Sequence, residues 1–417
     1  MAVLDDARGM IDDLRRFRAD LHADPEIGLD LPRTQEKVLS GLRQLPLEIT
    51  RGKQSTSVTA VLRGSAAAVN ADARPVVLLR ADMDALPVQE RTGCEHASRV
   101  DGVMHACGHD MHTAMLLGAA QLLATRRDQL AGDVVFMFQP GEEGWDGART
   151  MIDEGVLDAA GKRADAAYAL HVFSTLPHGF YTRPGPTMAA SATLLVTVRG
   201  SGGHASTPHL ALDPIPVAAA MILALQTMAT RQFDVFDPVV LTVGTVHAGT
   251  RRNIIPDTAD FEATVRTFSD QTRDRVGRIA LRLLRGIAEA HGVEVDVEFV
   301  PERPVTTSDP GETRLVTDTI GDAFGEDWHQ SLVQPFTGAE DFSYVLAEIP
   351  GAFIAMGALP AGVEPARAAF NHSGRAVFDD AVLPYGAALH AELALRRTAG
   401  TQMDLSAPTT SIAKDVP

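Results

Sequence analysis

RPVVLLRADMD, residues 74–84, is a run of Val and Leu that ends on two carboxylates, Asp82 and Asp84. A continuous apolar run of this length, rich in β-branched residues, predicts a strand buried on both faces. DVVFMFQP (133–140) repeats the pattern, is closed by proline, and leads to Glu142 and Glu143. Between the two runs, Asp110 to Arg127 has the apolar spacing of a helix. Short apolar strands alternating with helices predict an α/β fold with a mainly parallel sheet covered by helices. Ligands of such sheets lie beyond the carboxyl ends of the strands. The residues just after these two runs therefore carry the most interest.

The rhythm changes from about Ala190. ATLLVTVRG (192–200) predicts a strand and DPIPVAAAMILALQTMATR (213–231) a helix. DPVVLTVGTVHAG (237–249) and DTADFEATVRTF (257–268) predict two strands, DQTRDRVGRIALRLLRGIAEAHG (270–292) an amphipathic helix, and VEVDVEFV (293–300) a period-two strand. The order β-α-β-β-α-β is that of a ferredoxin-like α+β unit. The expected organisation is a first domain in two parts, residues 1–189 and 304–398, with 190–303 inserted between them. GAFIAMG (351–357) and LPYGAALHAELALRR (383–397) predict a closing strand and helix of the first domain. The polar, aperiodic tail 399–417 is expected to be disordered.

The 417 residues carry a net charge of −17, which argues against nucleic acid as a partner, because binding phosphates takes clustered Lys and Arg. PIPVAAAMILALQTMA (214–229) is too short to span a bilayer and predicts a buried helix, so no membrane association is expected. Two cysteines, Cys94 and Cys107, make no disulfide framework in so long a chain. MAVLDDARGM at the start is acidic and lacks the apolar core of an export signal. A reducing cytoplasm is the expected location.

The chemistry is concentrated in MHACGHDMHT (104–113), where Cys107 stands among three histidines. A thiolate and an imidazole two residues apart, at Cys107 and His109, form a strong donor set for Zn²⁺-like ions. His105 and His112 flank them, and not all three histidines can face one metal. The adjacent carboxylates of QPGEEGWDGA (139–148) can divide their labour, one binding metal and the other moving protons. His171 in ALHV and His372 in FNHSG end apolar segments and are further candidate ligands. Five donors are too many for one tetrahedral ion, and point to two metals sharing a ligand.

Seven segments occur in a telling order: LLRADMDALPVQE, MHACGHDMHT, FQPGEEGWDGARTMIDEGVL, GGHASTPHLALDPI, GTVHAGTRRNIIPDTADFEATVRTF, TGAEDFS and FNHSGRAVFDD. Over roughly residues 10 to 395 the chain resembles the amidohydrolases that include hippurate hydrolase, N-acyl-amino-acid amidohydrolase and the plant hydrolases of indoleacetyl-amino-acid conjugates. These form a branch of the di-metal clan of aminoacylase and glutamate carboxypeptidase. The resemblance implies two divalent metal ions per subunit, Mn²⁺ or Zn²⁺ foremost, with Co²⁺ and Ni²⁺ also compatible. It places the ligands at Cys107, His109, Glu143, His171 and His372, and the general base at Glu142. The wider clan has His-x-Asp where this chain has Asp82-Met83-Asp84. Asp82 is accordingly left out of the ligand set, Asp84 is read as a supporting carboxylate, and the Cys107 thiolate as the bridging donor that compensates for the missing imidazole.

The same resemblance implies that a histidine of the inserted domain closes over the site, often from a partner subunit. His204 is favoured for that role over His209, and Asn253 and Arg266 match positions that hold the substrate's carbonyl or carboxylate. A homodimer or higher homo-oligomer follows, with an exposed edge strand of the inserted sheet as the contact. The implied reaction is hydrolysis of a small N-acyl amino acid, with a dipeptidase or carboxypeptidase activity as the alternative. Three further features carry structural expectations. Thr337-Gly338-Ala339-Glu340 fits a helix capping box. His22 is expected to support the catalytic domain, and His96, His178, His247, His291, His329 and His390 to serve surface or packing roles. Trp145 is a candidate wall of the acyl pocket.

Overall fold

A computed structural model describes residues 2–67 and 74–399, and these divide into two units. The first is built on an eight-stranded sheet. In spatial order its strands are Leu47–Arg51, Val58–Arg63, Asp133–Gln139, Val76–Asp82, Ala166–Phe173, Gly351–Gly357, Gly179–Thr182 and His329–Ser331. The four central strands, from Asp133–Gln139 to Gly351–Gly357, run parallel, and every residue in them is buried. Continuous apolar sequence is what a strand covered on both faces requires. The helices His109–Ala124 and Leu383–Thr398 supply part of that cover through Met111, Met115, Leu389 and Leu393.

The parallel strands end together. Asp82 stands opposite Gln139, and His171 lies two residues from the end of its strand. Their carboxyl edge thus gathers Asp82, Asp84, Glu142, Glu143 and His171, as expected for this architecture. Gly108 turns the chain from Cys107 into the helix at φ 84°, where a β-carbon would stand 2.4 Å from Val172 Cγ2. Only glycine tolerates both the dihedral and the contact.

The second unit comprises 183–308 and 332–348. Its antiparallel sheet orders the strands Val240–Ala248, Thr258–Thr267, Ala190–Arg199 and Glu294–Arg303. The helices are Pro214–Arg231 and Asp270–His291. The second helix buries Thr272, Val276, Ala280, Leu284 and Ala288, one residue per turn, against Leu194, Val196, Phe261 and Val265. Ser269 caps its start by accepting the Thr272 N–H, and Gly292 ends it at φ 68°.

The observed boundaries depart from the expected 190–303. The strand pair Gly185–Met188 and Thr306–Ser308 extends the unit at both ends. Residues 332–348, assigned by sequence to the first domain, join the second because Phe336 N–H donates to Thr187 O and Ala189 N–H to Gly338 O. These are long-range backbone contacts with no periodic signature. Two smaller expectations also change. Pro214–Arg231 buries only one face, leaving Leu223 and Ile215 exposed. No capping box forms at Thr337–Glu340: the helix starts later, at Ser343, and the buried Glu340 carboxylate instead accepts the Phe342 N–H at 2.9 Å. Of the tail, only Ala399 is described, and the expectation for 400–417 falls outside the described residues.

Candidate metal centre

Cys107 Sγ sits at the meeting point of two groups of donors. His171 Nε2 is 3.4 Å from it and His372 Nε2 is 3.3 Å from it. Two triplets, Cys107/His109/His171 and Cys107/Glu143/His372, each bring three donor atoms within 4.8 Å of one another. All five side chains singled out from the sequence as ligands converge, and the two triplets share the thiol.

The donor distances suit metal ions better than they suit each other. Bond lengths of about 2.0–2.3 Å to N, O and S imply edges of about 3.3–3.7 Å in a tetrahedron of donors. The S–N separations fall in that range, and His372 Nε2 to Glu143 Oε1 is close to it at 3.1 Å. His109 is fully buried, yet neither ring nitrogen has a hydrogen-bond partner among the described residues. Its Nε2 lies 4.0 Å from Glu143 Oε1, and its Nδ1 3.5 Å from Asp84 Oδ1, too long for a hydrogen bond. Buried polar atoms left in this way are costly unless something else binds them. A mixed set of thiolate, imidazole and carboxylate donors fits divalent cations of the Zn²⁺ and Mn²⁺ class.

Neighbouring groups fix each donor's orientation. His171 Nδ1 donates to the Val172 carbonyl at 3.0 Å, which leaves Nε2 as the lone pair facing Cys107. Burial, followed by the nearby His112, holds its pKa well below the usual imidazole range, so it is neutral as a ligand must be. His112 is fully committed elsewhere. Its Nδ1 stands 2.5 Å from Asp82 Oδ1, and its Nε2 accepts the Val172 N–H at 2.8 Å. It is therefore the histidine of this segment that supports the ligands. His105 is buried with neither nitrogen partnered among the described residues, and burial pushes its pKa down to about 3.

His372 carries strain, with a left-handed backbone at φ 69°. Its N–H donates to Ala106 O at 2.8 Å, and the preceding Asn371 clamps the strand end by donating to Val172 O and accepting the Ser174 N–H. Hydrogen bonds to Cys107 and Glu143 raise the His372 pKa to about 10, so a cation held here would bind in exchange for the proton of this ring. Asp82 stays ionised: burial opposes its charge, but Arg80, His109 and His112 outweigh it and hold its pKa well below the carboxylate range. Arg80 Nη1 donates to Asp82 Oδ2 at 2.8 Å, and both side chains are buried. Sequence reasoning set Asp82 aside and passed over Arg80 and Asn371. All three stood inside the quoted segments; the Arg80–Asp82 pair is two residues apart and was legible there, whereas the partners His112 of Asp82 and Val172 of Asn371, 30 and 199 residues away, have no local signal.

Asp84 organises the glutamates. One of its oxygens accepts the Glu142 N–H at 2.9 Å and the other accepts the Glu143 N–H at 3.0 Å. Glu142 is buried, and its carboxylate groups with His109 and Glu143 within 4.8 Å. Trp145 is half exposed and packs over Gly28.

The remaining sequence candidates belong to the second unit. His204 is exposed on the short strand Gly203–His204, paired with Ile254–Ile255, and its Nδ1 is 2.7 Å from Ser206 Oγ. Asn253 is its neighbour on that ladder, accepting the Ala205 N–H at 3.2 Å. His209, on the turn Pro208–Leu210, makes no side-chain hydrogen bond or ion pair among the described residues. Arg266, on Thr258–Thr267, is half-buried, which lowers its pKa, and its Nη1 has no partner among the described residues.

A profile of Peptidase family M20/M25/M40 matches residues 78–396. The chain is 36% identical to thermostable carboxypeptidase 1 of Saccharolobus solfataricus over 94% of this chain and 97% of that one. It is 36% identical to IAA-amino acid hydrolase ILR1-like 4 of Arabidopsis thaliana, over 91% of this chain and 84% of the other. Among solved structures, the Bacillus subtilis YXEP protein, described as a dinuclear metal binding peptidase from the M20 family, superposes with a TM-score of 0.78. It shares 32% identity, with 93% of this chain and 98% of that one covered.

Proposed function

Since the chain belongs to peptidase family M20/M25/M40 and is a hydrolase of amide bonds, we propose that it cleaves N-acyl amino acids into a carboxylic acid and an amino acid. The observation that carries this reading is the pair of donor triplets sharing Cys107, with Glu142 beside them. We assign Cys107, His109, Glu143, His171 and His372 as ligands of two divalent cations, Mn²⁺ or Zn²⁺ foremost. The likeness to a dinuclear metal binding peptidase supports that number. When bound, such a pair supplies Lewis acidity, polarising the amide carbonyl and making water acidic enough to attack near neutral pH.

The protein's own groups do the rest. Glu142 takes a proton from the attacking water on its carboxylate and returns it to the departing nitrogen. Asp84 positions Glu142 through the backbone. His204, whose Nδ1 faces Ser206, offers Nε2 as a donor to the developing oxyanion. Asn253 and Arg266 hold the substrate's carbonyl and carboxylate, and His209 stands as the second histidine of that segment. The unpartnered Nη1 of Arg266 supports its share.

We further assign a homodimer, joined along Val240–Ala248. Among the described residues that strand pairs on one side only, and Thr245 to Ala248 are exposed. No helix among the described residues is long and apolar enough to cross a membrane. A cytoplasmic location remains part of the proposal, supported by two free cysteines.

The likeness to thermostable carboxypeptidase 1 favours a second reading, in which the same residues cut a C-terminal peptide bond. Hydrolysis of hippurate, N-acetyl amino acids and dipeptides, before and after metal removal and reloading, tests both. The acyl amino acids should be turned over fastest, and only by loaded protein. Cleavage of peptides alone would install the second reading, and undiminished turnover by stripped protein would overturn both.

A further inference from the structure

Away from this centre, His22, Glu90 and Cys94 bring one donor atom each within 4.8 Å of one another. We propose that they form a separate site for one thiophilic divalent cation of the Zn²⁺ class, with water as the fourth ligand.

Two of the three separations match a tetrahedron's edges. His22 Nε2 is 3.3 Å from both oxygens of Glu90, and Cys94 Sγ is 3.5 Å from Glu90 Oε1. Zn²⁺ with N, O and S ligands requires edges of about 3.3–3.7 Å, whereas a good N–H···O bond is nearer about 2.9 Å. The S–N and N–O spacings of the first centre have the same character.

The imidazole is also oriented as a ligand. Asp110 Oδ2 sits 2.7 Å from His22 Nδ1 while Nε2 faces Glu90; burial opposes the ring's charge, but these two carboxylates outweigh it and raise its pKa to about 9, so a cation would bind in exchange for the Nε2 proton. A carboxylate behind a histidine is the usual support for a metal-bound ring. Arg18 lies behind it as well: its Nε donates to Asp110 Oδ2 at 2.6 Å, its Nη1 pairs with Asp380 at 3.3 Å, and its Nη2 is 3.3 Å from Nδ1. The guanidinium thus faces the Nδ1 edge and balances Asp110, not the donor face. Glu90 is steadied by the Ser98 N–H at 2.7 Å and by the Thr92 hydroxyl.

Charge and access agree with the assignment. Glu90 and a Cys94 thiolate together neutralise a dication. Cys94 is free and only partly buried, so solvent can reach the open position. A cation here would clip the helix Ile11–Ala23, which carries His22, to the segment that joins Asp84 to Cys107. The inference does not depend on the reaction proposed above.

Zinc content decides it. Full-length protein is stripped with chelator, reloaded with excess Zn²⁺, desalted and analysed for metal by mass spectrometry. Wild type should hold one zinc per chain more than Cys94→Ser or Glu90→Gln, while Cys94→Ser hydrolyses substrate at the wild-type rate. In a Cys107→Ser background, Co²⁺ should still give a thiolate charge-transfer band in the near ultraviolet, and adding Cys94→Ser should abolish it. Equal zinc in wild type and both single variants, or no band in Cys107→Ser, overturns the site. Loss of the first centre's metals from Cys107→Ser bears only on that centre and leaves the Cys94 comparison intact.

Discussion

The carboxylate of Asp84 accepts the backbone N–H of Glu142 at 2.9 Å, across 58 residues of sequence. Its other oxygen takes the next amide, of Glu143. One buried side chain thereby sets the turn that carries both glutamates. Asp84→Asn keeps the shape but points an NH₂ group at one of the two amides. Displacing a proton-transfer group by about 1 Å can cost ~10²-fold in rate. We expect kcat to fall by about that factor, with Tm only modestly reduced. An unchanged kcat would remove Asp84 from the positioning role.

Glu142→Gln removes the proton acceptor without altering its volume. General base catalysis contributes about 10²–10⁴-fold, so kcat should drop within that range while metal content stays at the wild-type level. Metal loss from this variant would instead make Glu142 a ligand.

Cys107 is shared by both donor triplets. Cys107→Ser should therefore weaken both metals, where substitution of His171 should weaken chiefly one. Even outer partners of ligands are worth about 10–100-fold in affinity, so a shared ligand should exceed that. Equilibrium dialysis against buffered Zn²⁺ reads it directly. Retention of one tightly bound ion in Cys107→Ser would argue against a bridging thiol.

His390 is buried in the helix Leu383–Thr398, and burial depresses its pKa to about 3. An unfolded histidine titrates near about 6.5. Below that value the unfolded chain binds a proton that the folded chain refuses, so stability falls as pH drops from about 6.5 toward 3. His390→Met should flatten that slope in metal-free protein, sparing on the order of 2 kcal/mol by about pH 5. Urea unfolding of both proteins at neutral and acid pH measures this. Parallel curves would show that His390 is not the group that titrates.

Val246 is 55% exposed on the strand Val240–Ala248. A charge on an open sheet edge opposes pairing with another edge. Val246→Lys should shift the protein toward monomer in sedimentation velocity, with its circular dichroism unchanged. A wild type that is monomeric at all concentrations would refute the proposed dimer.

Sequence by itself determined the layers and the candidate donors. Apolar runs such as Val76–Asp82 and Asp133–Gln139 can only be strands covered on both faces, and period-two and helical patterns separate the two kinds of unit. Residue chemistry nominated a wider pool of donors, and the family resemblance narrowed it to Cys107, His109, Glu143, His171 and His372. Tertiary structure alone decided which partners complete them. The pairing of Asp82 with His112, of Asp84 with the glutamate amides and of Asp110 with His22 joins residues 30 to 88 positions apart. So did the transfer of 332–348 to the second unit and the start of the helix at Ser343. Periodicity reports how a segment faces the core, which is a local property. Hydrogen bonds between distant segments exist only once the strands are side by side, and no local pattern encodes them.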